Sequence, residues 1–148
     1  MRIYEGRVVY NLIRQGELEK LDSPEKSAEY LRDAFNTHAL QEQFIIIPLD
    51  RKLRPLGRFT ITVGLIDSVQ VDAREVFRPA ILAGATWVIL SHNHPSGDPT
   101  PSEADRRMTK ILHEAGKILN IPVADHIILG DEEVSQKGYY SFAENNLL

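Results

Sequence analysis

The sequence predicts an α/β fold, a mixed β-sheet sandwiched by helices. Short apolar runs with strand character alternate with segments of helical spacing in the order β, α, β, β, α, β, α, β, and no repeat or linker interrupts them. With 148 residues, 43% of them hydrophobic, the chain is long enough to bury a core as a single domain, residues 1–148. It contains no cysteine, which excludes disulfides, thiol nucleophiles and cysteine-ligated metal sites.

The first half of the chain is predicted to supply one strand or strand pair, a helix and a hairpin. The strand or pair lies between Arg2 and Ile13. Asp22 begins the helix, in which apolar residues recur at helical spacing up to about His38. Phe44–Leu49 and Phe59–Val63 flank a polar turn, so we expect them to be antiparallel neighbours.

The second half is predicted to alternate helices and strands. A helix from Asp72 to about Ala83 precedes the apolar strand Trp87–Ser91, and a further helix ends near Leu119. Ile121-Pro122-Val123 leads into a strand through Leu129, and the segment from Ser135 to Phe142 adds a short strand or packing segment.

Two starting points are open for the helix that ends near Leu119. Thr100 is our predicted N-cap, with Pro101 at the first helical position and Glu103 completing a capping box. If Ser102 were the N-cap instead, Asp105 would complete the box.

The stretch from Ser91 to Asp105 indicates a metal site. His92 and His94 follow a buried strand two residues apart, so their side chains share a face, and Ser102 and Asp105 share a face of the helix that follows. Two histidines and one aspartate, with a fourth position for water, is the ligand set of a catalytic zinc site. Glu42, directly before an apolar strand, is the candidate general base.

These residues resemble the pattern of the JAMM (JAB/MPN) metalloproteases, and within them the bacterial RadC-like proteins. The JAMM pattern is a distal Glu, then His-x-His, seven residues, Ser, two residues and Asp. The RadC-like character comes from His92–Gly97, Val71–Phe77 and Asp125–Ile128, and the resemblance covers roughly residues 25 to 143.

The resemblance implies a cytidine-deaminase-like architecture and a Zn²⁺ cofactor. It implies that His92, His94 and Asp105 bind the zinc, that Glu42 is the general acid and base, and that Ser102 stabilises the oxyanion. The expected activity is that of a zinc-dependent peptidase or isopeptidase, whose partner would be a protein or peptide substrate.

The alternative is a DNA-repair-associated factor acting in nucleic-acid metabolism. Many RadC-like proteins carry an N-terminal helix-hairpin-helix region, which we expect to be absent from this chain. The formal net charge of −4 argues against DNA binding driven by many phosphate contacts. Local basic groups remain, around Arg51–Arg58 and at Arg106, Arg107 and Lys110, and a solvated turn and helix face explain both.

Each candidate also has a simpler explanation. Glu42 alone would be a solvated residue at a strand start, and Ser102 a helix-start residue. The two histidines alone would be polar residues at a strand exit. His126 is most simply a core histidine, although a role in orienting a metal ligand or in facing the substrate is open. A scaffold with an inactive site is a third hypothesis, but every position of the pattern is filled.

No apolar run approaches the roughly 20 residues that span a bilayer, and the first residues lack the apolar core of a signal peptide. We therefore expect a cytoplasmic protein. The nitrogen and oxygen donors also suit divalent ions other than zinc, because site affinity alone does not select one metal.

Overall fold

The structure is a computed structural model that describes residues 19–35, 40–64 and 71–148. The predicted strand between Arg2 and Ile13, and His38, lie outside these ranges. The described residues form three helices and five strands. In chain order they are α1 (Pro24–Phe35), β1 (Gln43–Leu49), β2 (Phe59–Val63), α2 (Ala73–Leu82), β3 (Trp87–Asn93), α3 (Glu103–Leu119), β4 (Val123–Leu129) and β5 (Tyr139–Ser141).

The strands form one mixed sheet in the order β2-β1-β3-β4-β5. Strands β1 and β2 are antiparallel neighbours, as predicted for the hairpin, and β1 also pairs antiparallel with β3. Strands β3 and β4 are parallel, with α3 as the crossover between them. The carboxyl ends of β3 and β4 therefore meet the amino end of β1 at one edge, where α3 begins.

Helices cover both faces of the sheet, which confirms the predicted α/β sandwich. Strand β1 is buried on both faces, because its side chains alternate between two hydrophobic cores. Phe44 and Ile46 face the first core, and Ile45 and Ile47 face the second. The first core includes α2 and α3 through Phe77, Met108 and Leu112 among others. The second core includes α1 through Ala28, Leu31 and Phe35.

The predicted N-cap of α3 is wrong. Ser102, not Thr100, is the N-cap: its backbone is extended, its side chain accepts a hydrogen bond from the Asp105 amide, and the Asp105 side chain accepts from the Ser102 amide. The amide of Thr100 instead donates to the Asp98 side chain at 2.9 Å, which holds Thr100 in the loop. The reciprocal bonds with Asp105 outweigh the alternative box, so the helix begins at Glu103.

The basic residues around the hairpin are partly neutralised. Arg54 pairs with Asp50 at 2.6 Å, and Arg58 pairs with Asp33 and donates to the Tyr30 carbonyl at 3.0 Å. These contacts favour the simpler explanation of a solvated turn. Across the described ranges, no helix is both long and apolar enough to cross a membrane.

Candidate metal centre

The three predicted metal ligands lie together where β3 ends and α3 begins. His92 is the penultimate residue of β3, His94 lies in the loop that follows, and Asp105 lies in the first turn of α3. The Nε2 atom of His92 is 3.1 Å from Nε2 of His94 and 3.1 Å from Oδ1 of Asp105. Nε2 of His94 is 3.4 Å from Oδ2 of Asp105. This group could hold a metal ion.

The separations suit a single tetrahedral ion. Zinc binds imidazole nitrogen and carboxylate oxygen at about 2.0–2.2 Å, which places neighbouring ligand atoms roughly 3.3–3.6 Å apart. The measured separations lie within a few tenths of an ångström of that range. Three protein ligands leave a fourth position for water or substrate, which is the arrangement of catalytic rather than structural zinc. Nitrogen and oxygen donors also suit other divalent metals.

The loop after β3 orients His94. Its Nδ1 lies 2.7 Å from the carbonyl oxygen of Asp98. Because a carbonyl can only accept, Nδ1 carries the hydrogen of the neutral ring and Nε2 keeps its lone pair for a metal. Two backbone hydrogen bonds hold the loop against the end of β4. The His94 amide donates to the Leu129 carbonyl, and the Asp131 amide donates to the Gly97 carbonyl. Gly97 permits the turn, because its φ is 84°.

Asp105 is both a member of the metal group and a capping residue. Its Oδ2 accepts hydrogen bonds from the Ser102 amide and the Ser102 hydroxyl, each at 2.7 Å, while Oδ1 faces His92. The two explanations that the sequence left open for Asp105 therefore describe the same geometry. The capping bonds fix the carboxylate at the helix start, where the helix dipole favours a negative charge.

Burial and hydrogen bonding oppose each other in this group. Burial lowers the pKa of His92. Burial also acts to lower the pKa of His94, but hydrogen bonds to Asp105 and to the Asp98 carbonyl raise it above its ordinary value. Burial acts to raise the pKa of Asp105, yet the two imidazoles hold it well below its usual range. Asp105 is therefore ionised and suited to bind a cation.

His126 lies directly behind His92. Its Nε2 is 2.9 Å from Nδ1 of His92, and its Nδ1 is 2.6 Å from the hydroxyl of Thr109. The ring of Phe142 stacks on His126 with centroids 4.9 Å apart. His126 is thus a buried core histidine with satisfied nitrogens, and it also contacts a candidate metal ligand.

Glu42 precedes β1 at the same edge of the sheet. Phe44 pairs with His92, and Glu42 lies two residues before Phe44, so it shares the sheet face of His92. The half-buried Glu42 is close enough for its charge to act on both histidines: it adds to the raised pKa of His94 and opposes the lowering of the pKa of His92 by burial. The structure therefore places Glu42 at the end of the sheet that also carries the three candidate ligands.

Asn93 fixes the backbone on both sides of Glu42. Its side-chain oxygen accepts from the amide of Gln43 at 2.7 Å, and its side-chain nitrogen donates to the carbonyl of Gln41 at 3.0 Å. The carboxamide thus extends the pairing of β1 with β3 beyond the last backbone bonds. The Glu42 carbonyl, in turn, accepts from the Gly64 amide at 2.8 Å. The segment that carries the candidate base is therefore anchored to two neighbouring strands.

Ser102 lies at the start of α3 beside Asp105. Its hydroxyl donates to Oδ2 of Asp105 at 2.7 Å and accepts from the Asp105 amide at 3.1 Å. The single hydroxyl proton thus points at the carboxylate. To stabilise an oxyanion, the hydroxyl would have to turn this proton toward the substrate.

A cleft of about 610 Å³ opens beside His94. The loop after β3 forms one wall, the turn from Gly130 to Glu133 forms the other, and Arg32 and Phe35 of α1 close one side. The pairing of Arg32 with Glu132 at 2.6 Å connects α1 to the second wall. Of the three candidate ligands, only His94 lines this cleft.

Asn93 and Thr109 were not predicted from the sequence as part of this centre. A signal was present for each. Asn93 is a polar residue at the end of a buried strand, where it needs a hydrogen-bond partner. Thr109 follows Asp105 by four residues, which places both on one helix face. Neither signal identifies the partner, since both partners come from other parts of the chain.

Comparison with known proteins shows similarity to one protein family along most of the chain. A sequence model of the RadC-like JAB domain matches residues 21–147. The UPF0758 protein of Thermotoga maritima is 45% identical over 130 residues, which are 88% of this chain and 55% of the relative. The UPF0758 protein of Pelobacter propionicus is 40% identical over 149 residues, 98% of this chain and 58% of the relative. The chain thus spans a little over half the length of these curated relatives.

Proposed function

Because the chain belongs to the RadC-like JAB family, we propose that it is a zinc-dependent hydrolase of the JAMM type that cleaves an amide bond in a peptide or isopeptide. The observation that carries this proposal is the convergence of His92, His94 and Asp105, whose ligand atoms lie 3.1–3.4 Å apart. Glu42 at the same edge supplies the carboxylate that amide hydrolysis requires.

A bound zinc ion would supply Lewis acidity, which polarises the scissile carbonyl and lowers the pKa of water toward roughly 7. In the proposed reaction Glu42 takes the proton from the attacking water and returns it to the leaving amine. The anchoring of residues 41 and 43 by Asn93 keeps this carboxylate at a fixed position. General acid–base catalysis of this kind contributes about 10²- to 10⁴-fold.

Ser102 is proposed to donate to the oxygen of the substrate as negative charge develops there. Its hydroxyl turns from Oδ2 of Asp105 toward the substrate, and Asp105 keeps the hydrogen bond from the Ser102 amide. A donor aimed at the developing charge stabilises the transition state more than the ground state.

The cleft beside His94 is the proposed path of the substrate chain. The substrate we propose is a segment of a protein or peptide, and the cleft volume of about 610 Å³ leaves room for several of its residues. The cytoplasm remains the compartment that the composition predicts.

The test combines zinc content with cleavage. Wild type purified without chelator should contain about one zinc per chain by elemental analysis, and His94→Ala should contain none. Zinc-loaded wild type should cleave members of a panel of fluorogenic peptides and lysine-linked isopeptides. Glu42→Gln should bind zinc as wild type does and lose cleavage by about 10²-fold or more.

Glu114→Gln is the matched control, because it removes an exposed carboxylate from α3 away from the centre and should leave cleavage unchanged. If Glu42→Gln cleaved as fast as wild type, Glu42 would not be the base. If the zinc-loaded protein cleaved nothing but bound DNA in a salt-sensitive way, the nucleic-acid role would replace the hydrolase.

A further inference from the structure

A line of hydrogen-bonding groups connects the backbone of α3 to the back of His92. The hydroxyl of Thr109 lies 2.6 Å from the Asp105 carbonyl oxygen and 2.6 Å from Nδ1 of His126. Nε2 of His126 lies 2.9 Å from Nδ1 of His92. The three side chains are 1%, 0% and 0% exposed, respectively, so the line runs through the interior.

The chemistry of the groups sets the direction of every bond. The Asp105 carbonyl can only accept, so the single hydroxyl proton of Thr109 points at it. The Thr109 oxygen must then accept from His126, whose hydrogen is on Nδ1. His126 is 0% exposed, and its two nitrogens face a hydroxyl and an imidazole rather than a carboxylate, so a positive charge on the ring would be buried without a partner. The ring is therefore neutral, and Nε2 has a lone pair.

The same reasoning reaches the metal centre. Because Nε2 of His126 accepts, Nδ1 of His92 must donate, and the hydrogen of the neutral His92 ring lies on Nδ1. Nε2 of His92 is then left with a lone pair, and this is the atom that faces His94 and Asp105. A histidine free of such a partner exchanges between two tautomers, one of which carries a hydrogen on Nε2.

We propose that Thr109 and His126 are positioning residues that hold His92 in the tautomer with its hydrogen on Nδ1, so that Nε2 is permanently available to a metal. The proposal rests on the metal centre of the proposed function. It requires nothing of the substrate or the cleavage reaction.

A bulge in β4 places His126 on the required face. Val88 pairs with Val123 and Ile89 with Asp125, so Ala124 is an extra residue. Val123 packs in the core beneath α2 and α3, whereas Ile127 packs in the opposite core beneath α1. Because one inserted residue exchanges the faces of all later side chains, the bulge turns His126 toward His92.

Aromatic packing fixes the plane of the His126 ring. Phe142 stacks on one side with an interplanar angle of 13°, and the edge of Phe44 meets the ring at a centroid distance of 5.8 Å. Phe44 also stacks on His92, at 6.2 Å. The two imidazoles therefore have little freedom to rotate out of the hydrogen bond that joins them.

Thr109→Val, compared with Thr109→Ser, tests the proposal. Valine has the shape of threonine but can neither accept from His126 nor donate to the Asp105 carbonyl, whereas serine can do both. In Thr109→Val the hydrogen of His126 is free to move to Nε2, which forces the hydrogen of His92 onto its own Nε2. Zinc must then displace that hydrogen. We expect zinc affinity, measured by chelator competition, to fall about 10- to 100-fold in Thr109→Val and to stay near wild type in Thr109→Ser.

The second readout needs no metal. Long-range ¹H–¹⁵N spectra of the metal-free wild type report which nitrogen of each histidine carries hydrogen. We expect Nδ1–H for both His92 and His126 in wild type and in Thr109→Ser. A hydrogen on Nε2 of His92 in the wild type would overturn the proposal, as would wild-type zinc affinity in a folded Thr109→Val. Failure of the cleavage assays would leave both readouts intact, so the two proposals fail separately.

Discussion

Ser102 and Asp105 exchange three hydrogen bonds at the start of α3, and one of the two also faces the imidazoles of the candidate metal group. This capping interaction does more than stabilise the start of the helix. It immobilises the carboxylate of Asp105 before any metal arrives. Local helix stability and metal affinity should therefore respond to the same substitution.

Ser102→Ala tests this coupling. Alanine cannot cap the Asp105 amide, so we expect the free energy of unfolding to fall by about 1 kcal/mol. Zinc affinity should fall as well, because the carboxylate loses the hydroxyl that holds Oδ2. Ser102→Thr keeps the hydroxyl and should restore both quantities. Urea denaturation and chelator competition measure them, and an alanine variant as stable as wild type would show that Ser102 does not cap the helix.

At the scale of the strand, the carboxamide of Asn93 replaces a missing rung of the β1–β3 ladder. The backbone beside Glu42 would otherwise be held from the side of β2 through Gly64, where the Gly64 amide meets the Glu42 carbonyl. Contacts from the β2 side and from β3 therefore both hold the backbone that carries Glu42. The contact from β3 depends on the carboxamide of Asn93 alone.

Asn93→Ala should release this end of β1. The amide of Gln43 would lose its acceptor, at a cost of about 1–3 kcal/mol for a buried donor left unpaired. We expect hydrogen exchange at Gln43 to accelerate about 10- to 100-fold while exchange at Ile46, in the middle of β1, changes far less. Turnover should fall with zinc affinity unchanged. Equal acceleration at both amides would indicate global destabilisation instead.

The elements were largely predictable, and the departures have local causes. Apolar runs and caps predicted β1 through β4 and all three helices to within a few residues. The predicted N-cap of α3 is wrong because Thr100 with Glu103 satisfies the same local rule as Ser102 with Asp105. The choice depends on the loop before the helix, where the Thr100 amide donates to the Asp98 side chain. The bulge at Ala124 does not interrupt the apolar run of β4. The alternation of apolar residues in the sequence therefore does not predict on which face of the sheet the His126 side chain lies.

For the whole molecule, the sheet order brings together residues that are distant in sequence. Glu42 directly precedes β1, the two histidines come from β3 and the loop after it, and Asp105 comes from α3. The spacing of His92, His94, Ser102 and Asp105 was predictable because these residues lie in one strand–loop–helix segment. The contact of His92 with His126 depends on β4 and was open until the strand pairing was known.

A metal bound by several elements stabilises the native state as a whole. Zinc at 100 times its dissociation constant should add about 2.7 kcal/mol, which corresponds to a rise in Tm of roughly 5–10 °C for a domain of this size. Chelation by EDTA should reverse the rise. His94→Ala is the control and should show neither effect in thermal denaturation. If added zinc left the Tm of the wild-type protein unchanged, that result would argue against the metal centre.

The candidate ligands all lie in the segment from His92 to Asp105, whereas Glu42 lies about fifty residues earlier, directly before β1. In the proposed function, metal binding and general acid–base catalysis therefore depend on different segments of the sequence. A duplicated copy that lost Glu42 would keep an intact ion-binding fold, available as a sensor or an assembly subunit. A copy altered between His92 and Asp105 would lose both capacities at once. Catalysis could therefore be lost in evolution while the fold and the metal site are kept.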